Sequence, residues 1–210
     1  MGKPYRPKDH FFNKAKSEGL RARSAFKIDE IVKRFALLKK GGKVLDLGAA
    51  PGGFLQIIAD AVGPSGLALG IDIVAIKPMP QPHVKTAVLD VLADDFDRKL
   101  AELYDGPFDA VISDMAPKTS GIRSTDEARS IRLATRALDT ALLRGKTGSS
   151  FVTKLFMGGE FEGFREQLRA AYEEVKVVRP EATRGASMEI YLVALRKKAA
   201  PPGPVAGGNG

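Results

Sequence analysis

The run Val44-Leu45-Asp46-Leu47-Gly48-Ala49-Ala50-Pro51-Gly52-Gly53-Phe54 carries the first residues that could do chemistry. It reads as a buried strand that stops at a glycine-rich turn and opens a helix, a turn that lets a nucleoside cofactor approach the backbone. A dinucleotide fingerprint needs a middle glycine to admit the pyrophosphate. Here the middle position is Ala50, and Pro51 lacks the N–H that a phosphate cradle would use. The turn therefore suits a cofactor without phosphate, and S-adenosylmethionine is the natural candidate. Asp72 lies about 20 residues further on, where an acid commonly holds ribose hydroxyls. Asp90 and Asp114 end two further strand candidates. One such acid could simply cap the next helix, but three at successive strand ends are harder to assign to capping.

Three other charges interrupt apolar runs. Lys154 lies inside Phe151-Val152-Thr153-Lys154-Leu155-Phe156, and Glu189 opens Glu189-Ile190-Tyr191-Leu192-Val193. Lys27 flanks the apolar stripe of Ile28 and Ile31. Taken alone, each has an ordinary explanation: an edge lysine reaching solvent, a surface carboxylate, a snorkelling lysine. Composition cannot join them into one site.

The elements that must position these residues alternate. Strands are expected at 43–47, 67–71, 84–89, 108–113, 150–156, 175–178 and 189–195. Helices are expected at 11–18, 24–38, 53–62, 95–104, 124–143 and 161–172. Continuous apolar strands such as Ala110-Val111-Ile112 imply a parallel sheet covered on both faces. Ligands in such α/β sheets bind beyond the carboxyl ends of the strands. At 210 residues, 44% hydrophobic and 28% charged, the chain reads as one soluble domain over residues 1–198. The Pro/Gly/Ala-rich stretch 199–210 reads as a disordered tail.

No apolar run approaches the ~20 residues of a membrane span, and the first residues lack a signal core. Absence of cysteine excludes disulfides and thiolate sites and agrees with a cytoplasmic protein. With only His10 and His83, neither a histidine triad nor a metal site is expected. The net charge of +8 is uneven: residues 1–43 hold 13 Lys and Arg against 4 Asp and Glu. A basic segment with Phe11 and Phe12 is the footprint of a nucleic-acid partner.

The sequence resembles the FtsJ/RrmJ-type ribosomal RNA 2′-O-methyltransferases from about residue 10 to 196. The resemblance rests on Arg21-Ala22-Arg23-Ser24-Ala25-Phe26-Lys27, Asp46–Phe54, Ser113-Asp114-Met115-Ala116-Pro117, Val152-Thr153-Lys154-Leu155-Phe156 and Ser187-Met188-Glu189-Ile190-Tyr191. It implies a Rossmann-like methyltransferase sheet of seven strands, the last antiparallel, and a Lys-Asp-Lys-Glu tetrad at Lys27, Asp114, Lys154 and Glu189. It also implies S-adenosylmethionine held by Gly48, Gly52, Phe54, Asp72, Asp90 and Asp114. Phe54 replaces a frequent tryptophan, and Leu20 a frequent tyrosine. The implied reaction moves a methyl group to a ribose 2′-hydroxyl, which needs a base. Lys154 is the expected base, Lys27 would lower its pKa and orient the hydroxyl, and Asp114 would position Lys154 and the cofactor. Glu189 would orient one of the lysines. The expected substrate is a uridine of large-subunit ribosomal RNA, bound as naked RNA or in the assembled subunit, by a monomer. The alternatives are transfer RNA as substrate, or a noncatalytic ribosome-assembly factor with a vestigial pocket.

Overall fold

The computed structural model describes residues 10–183 and 188–199. The first nine residues, Ser187 of the quoted motif and the expected tail from residue 200 onward lie outside the described part. Chain order is α1 (His10–Ser17), α2 (Ala25–Phe35), β1 (Lys43–Leu47), α3 (Gly53–Val62), β2 (Leu67–Asp72), β3 (Val84–Val88), α4 (Phe96–Leu103), β4 (Phe108–Ser113), α5 (Arg123–Arg144), β5 (Gly145–Phe156), α6 (Phe161–Ala171), β6 (Tyr172–Val178) and β7 (Glu189–Lys197).

The strands form one seven-stranded sheet in the order β3-β2-β1-β4-β5-β7-β6. Strands β1 to β5 pair in parallel, and β7 runs antiparallel to both β5 and β6. This is the seven-stranded Rossmann-like sheet that was expected, with the last strand antiparallel. Strand alternation sends side chains to two cores. Leu45, Leu47, Val111, Phe151 and Leu155 pack under α4, α5 and α6. Val44, Ala110, Ile112, Val152, Tyr191 and Val193 pack under α2 and α3. Ile28 and Ile31 of α2 are fully buried, and each contributes about 1.5–3 kcal/mol by leaving water. No helix among the described residues is long and apolar enough to cross a membrane.

Three boundaries differ from the sequence-based expectation by three residues or more. Helix α2 stops at Phe35 instead of running on toward Gly41-Gly42. Ala36 turns left-handed at φ 48°, and its N–H and that of Leu37 close on the carbonyls of Lys33 and Val32. Leu37 and Leu38 can then fold back onto the core. Strand β5 starts at Gly145, opposite Phe108, and resumes pairing at Ser150, opposite Ala110. The polar, glycine-containing residues between carry no apolar alternation. Strand β6 starts at Tyr172, whose buried ring stacks on Phe151. The charged pair Glu173-Glu174 on this edge strand masks it in the sequence.

Candidate active site

Register and parity bring the out-of-place charges together. Asp46, Asp114, Lys154, Tyr191 and Glu189 all share parity with the residues that face α2 and α3. Ser113 is level with Leu47 on one side and Thr153 on the other, so Asp114 leaves β4 beside Lys154. Lys154 pairs across with Tyr191, and Phe156 with Glu189. Lys27 descends onto this face from α2, its ammonium 5.8 Å from the centre of the Tyr191 ring.

The tetrad forms two ion pairs. Lys154 Nζ donates to the backbone carbonyl of Asp114 at 2.5 Å and lies 3.1 Å from its Oδ1. Lys27 Nζ donates to Glu189 Oε2 at 2.8 Å. Both lysines are buried, at 7% and 6% exposure. Strand β5 lies between β4 and β7, so Lys154 is not an edge lysine. Of the two lysines that the sequence offers to Glu189, Lys27 is its ion-pair partner, while Lys154 is paired with Asp114. Tyr191 donates its hydroxyl to Asp114 Oδ1 at 2.5 Å. Burial, reinforced by the Asp114 charge, pushes the Tyr191 phenol well up, so it stays a donor. Tyr191 went unremarked as a site residue; its signal is that it lies two residues beyond Glu189, on the same face.

Next to this group is a cavity of about 460 Å³ lined by Gly48, Ala50, Asp72, Asp90, Asp114 and Met115 among others. Asp72 is built into its wall. Its Oδ2 accepts from the Ala50 N–H and its Oδ1 from the Val74 N–H, both at 2.9 Å. Asp90 Oδ1 accepts from the Leu92 N–H at 2.9 Å. Gly48 must be glycine: φ is 80°, and a Cβ would meet the Met115 backbone nitrogen at 2.9 Å. Gly52 and Phe54 do not line this cavity. Phe54 is 3% exposed and packs into the core below the turn, while Gly52 faces Arg21 and Ile76. A smaller cavity of about 220 Å³, between α5 and the β5–α6 turn, holds none of the expected residues.

Asp46 is the other residue missed in the sequence reading. It is fully buried, and neither carboxyl oxygen has a hydrogen-bond partner. Burial first, then the charges of Asp114 and Asp72, hold its pKa well above 3.8, which favours the neutral acid.

The described part of the basic segment is not one surface. Lys39 pairs with Asp109, Lys40 donates to the Asp60 carbonyl and Lys43 to the Ser65 carbonyl, all around the amino end of β1. The site lies at the carboxyl end. Among the described residues of the segment, the stretch through Lys27 approaches the cleft: Gly19 and Arg21 bind Gln56 of α3, and Phe11 of α1 packs 5.7 Å from Phe26.

The family model described as FtsJ-like methyltransferase matches residues 20–197. A Myxococcus xanthus protein named ribosomal RNA large subunit methyltransferase E is 75% identical over 95% of this chain and 93% of its own length. An Anaeromyxobacter protein of the same name is 53% identical over 98% of this chain and 75% of its own length. Among solved structures, a ribosomal RNA methyltransferase from Plasmodium falciparum shares the fold at TM-score 0.75, with 24% identity over 86% of this chain and all of that one. Aeropyrum pernix fibrillarin, solved with S-adenosylmethionine, shares it at TM-score 0.58, with 15% identity over 82% of this chain and 76% of that one. Their shared architecture and the family match agree with the site geometry: this chain belongs to the FtsJ-like methyltransferases.

Proposed function

We propose that this protein uses S-adenosylmethionine to methylate the ribose 2′-hydroxyl of a uridine in large-subunit ribosomal RNA. The observation that carries this reading is the juxtaposition of two buried, carboxylate-paired lysines with a cavity walled by strand-end acids. The cavity suits the donor chemically. Its lining includes Asp72, Asp90 and Asp114 against one cation, Lys118, so it repels a pyrophosphate and favours a positively charged nucleoside. S-adenosylmethionine supplies, when bound, a methyl group made electrophilic by its sulfonium. Asp72 would hold the ribose hydroxyls, Asp90 the base and Asp114 the amino-acid end, with Gly48 allowing close approach.

The acceptor needs a base. Lys154 Nζ takes the hydroxyl proton in this reading, while Lys27, braced by Glu189, orients the hydroxyl oxygen. Asp114 grips Lys154 twice and is itself pinned by the Tyr191 hydroxyl. General-base catalysis of this kind contributes about 10²–10⁴-fold.

The names of the relatives support large-subunit ribosomal RNA as substrate. The exposed face of α1, with Phe12 at 60% exposure, supports a contact for a splayed, unpaired nucleotide strand beside the cleft. The acting form in this reading is a monomer, and a ribosomal substrate implies work in the cytoplasm. The test supplies labelled S-adenosylmethionine with naked large-subunit RNA, assembled large subunits or transfer RNA, then digests the RNA to nucleosides. Label in 2′-O-methyluridine from large-subunit RNA is expected. Label on a base, label only in transfer RNA, or no transfer would overturn the reading.

A further inference from the structure

Arg21 counts, by sequence, among the cations that would meet phosphate. Its contacts point elsewhere. Nη1 donates to the Lys77 carbonyl and Nη2 to the Pro78 carbonyl, both at 2.6 Å, and Nη1 also reaches the Pro51 carbonyl at 3.3 Å. Pro51 belongs to the glycine turn, and Lys77 and Pro78 belong to the β2–β3 connection beyond Asp72. A rigid guanidinium fork can hold carbonyls from two segments at once; an ammonium on a flexible stem cannot reproduce that geometry. The main chain is fixed as well. The Arg21 N–H donates to Gln56 Oε1 at 2.7 Å, and Gln56 Nε2 donates to the Gly19 carbonyl at 3.0 Å. Gly52 makes room for the fork: at φ 107°, a Cβ would lie 3.0 Å from Nη1 and 3.3 Å from Ile76 Cγ2.

We infer that Arg21 is a positioning residue for the methyl donor, fixing the β2–β3 connection against the glycine turn. The inference rests on the donor reading above. Asp72 accepts from Ala50 in the turn and from Val74 in the connection. Its carboxylate is therefore aimed by the two segments that Arg21 joins. The N-terminal stretch shapes the donor pocket through this residue and does not serve the RNA alone.

Arg21→Ala and Arg21→Lys are compared with the full-length wild-type chain. S-adenosylmethionine affinity is measured by calorimetry without RNA, RNA affinity by anisotropy across salt concentrations, and hydrogen exchange over residues 73–82 without cofactor. Both variants are expected to weaken donor binding by about tenfold, a loss in keeping with charge-assisted hydrogen bonds. The KM for the donor should rise in parallel while kcat stays within about twofold. Exchange over 73–82 should quicken in both, and RNA affinity should move less than about twofold. Failure of lysine to rescue marks the fork, not the charge, as the active feature.

Retained donor affinity in Arg21→Ala, with RNA affinity lost and the salt slope reduced by about one, would make Arg21 a phosphate contact and overturn the inference. Rescue by lysine, unchanged exchange over 73–82, or equal loss of donor and RNA binding with a lowered melting point would overturn it too. If the wild type binds no S-adenosylmethionine, the donor reading fails, while the exchange comparison still decides whether Arg21 fixes the segment.

Discussion

The proposed donor half of the cleft comes mostly from one continuous stretch, residues 44–92, with residues 114–118 and Leu133 completing its wall. Asp72 and Asp90 are fixed in it by main-chain N–H groups two residues away or across one parallel ladder. The acceptor half comes from α2, the end of β4, β5 and β7, and is built from side chains. Its lysines are fixed by carboxylates 40 and 162 positions away. A backbone-built half tolerates loss of one side chain with a weakened site. A side-chain-built half loses its chemistry with any member. Asp114 alone belongs to both, since it lines the cavity and holds Lys154.

The widest effect on both halves is therefore expected from Asp114→Asn. It removes the charge opposite buried Lys154 and weakens the acceptor of Tyr191. Methyl transfer should fall about 10³-fold and donor affinity about tenfold. Stability should fall by about 3 kcal/mol, the scale for breaking a buried ion pair, as read by denaturant unfolding. A fall in rate alone would detach Asp114 from the donor half.

Glu189→Gln probes the acceptor half by itself. The neutral amide still accepts a hydrogen bond from Lys27 but loses the ion pair. A drop of about 10–100-fold in single-turnover rate is expected, the worth of a charge-assisted bond, with donor affinity unchanged in calorimetry. Asp72→Asn probes the donor half: donor Kd should rise about tenfold, and saturating donor should restore most of the rate. If the two variants exchanged these signatures, the division of the cleft would be wrong.

Asp46 gives the smallest and most local test. Burial raises the pKa of this carboxyl well above 3.8, so the folded protein keeps its proton to higher pH than the unfolded chain does. Its contribution to stability is thus complete below pH 3.8 and is lost as pH rises toward the elevated folded value. Asp46→Asn abolishes the titration. The melting temperature of the variant, relative to wild type, should climb with pH above about 4. A difference independent of pH would mean that Asp46 is ionised and paired.

The same contrast explains what could be read from the chain. The glycine turn, Asp72 at the end of β2 and Asp90 after β3 were legible because successive β–α units place them by short-range rules. The lysines were visible as anomalies, but only the family resemblance joined Lys27, Asp114, Lys154 and Glu189. Strand parity offered a partial physical route: Lys154 shares a face with Val152, and Glu189 with Tyr191. That route needed the pairing of β5 with β7, a contact between distant segments. Asp46 was hidden in plain view, one place after Leu45 and on the opposite face. The role of Arg21 was not legible, because its partners are carbonyls 30, 56 and 57 residues away. Carbonyls carry no side-chain signature. Phe54, expected to help hold the methyl donor, packs its ring into the core beneath the turn.

The central claim is that Lys154 is the base of a site whose donor half stands independently. Single-turnover transfer from S-adenosylmethionine to large-subunit RNA by Lys154→Ala, measured beside calorimetric donor affinity on the same preparation, tests it most directly. Transfer slowed by about 10²–10⁴-fold, with donor affinity within about threefold of wild type, is expected. Near-normal transfer, or donor binding lost together with transfer, would contradict it.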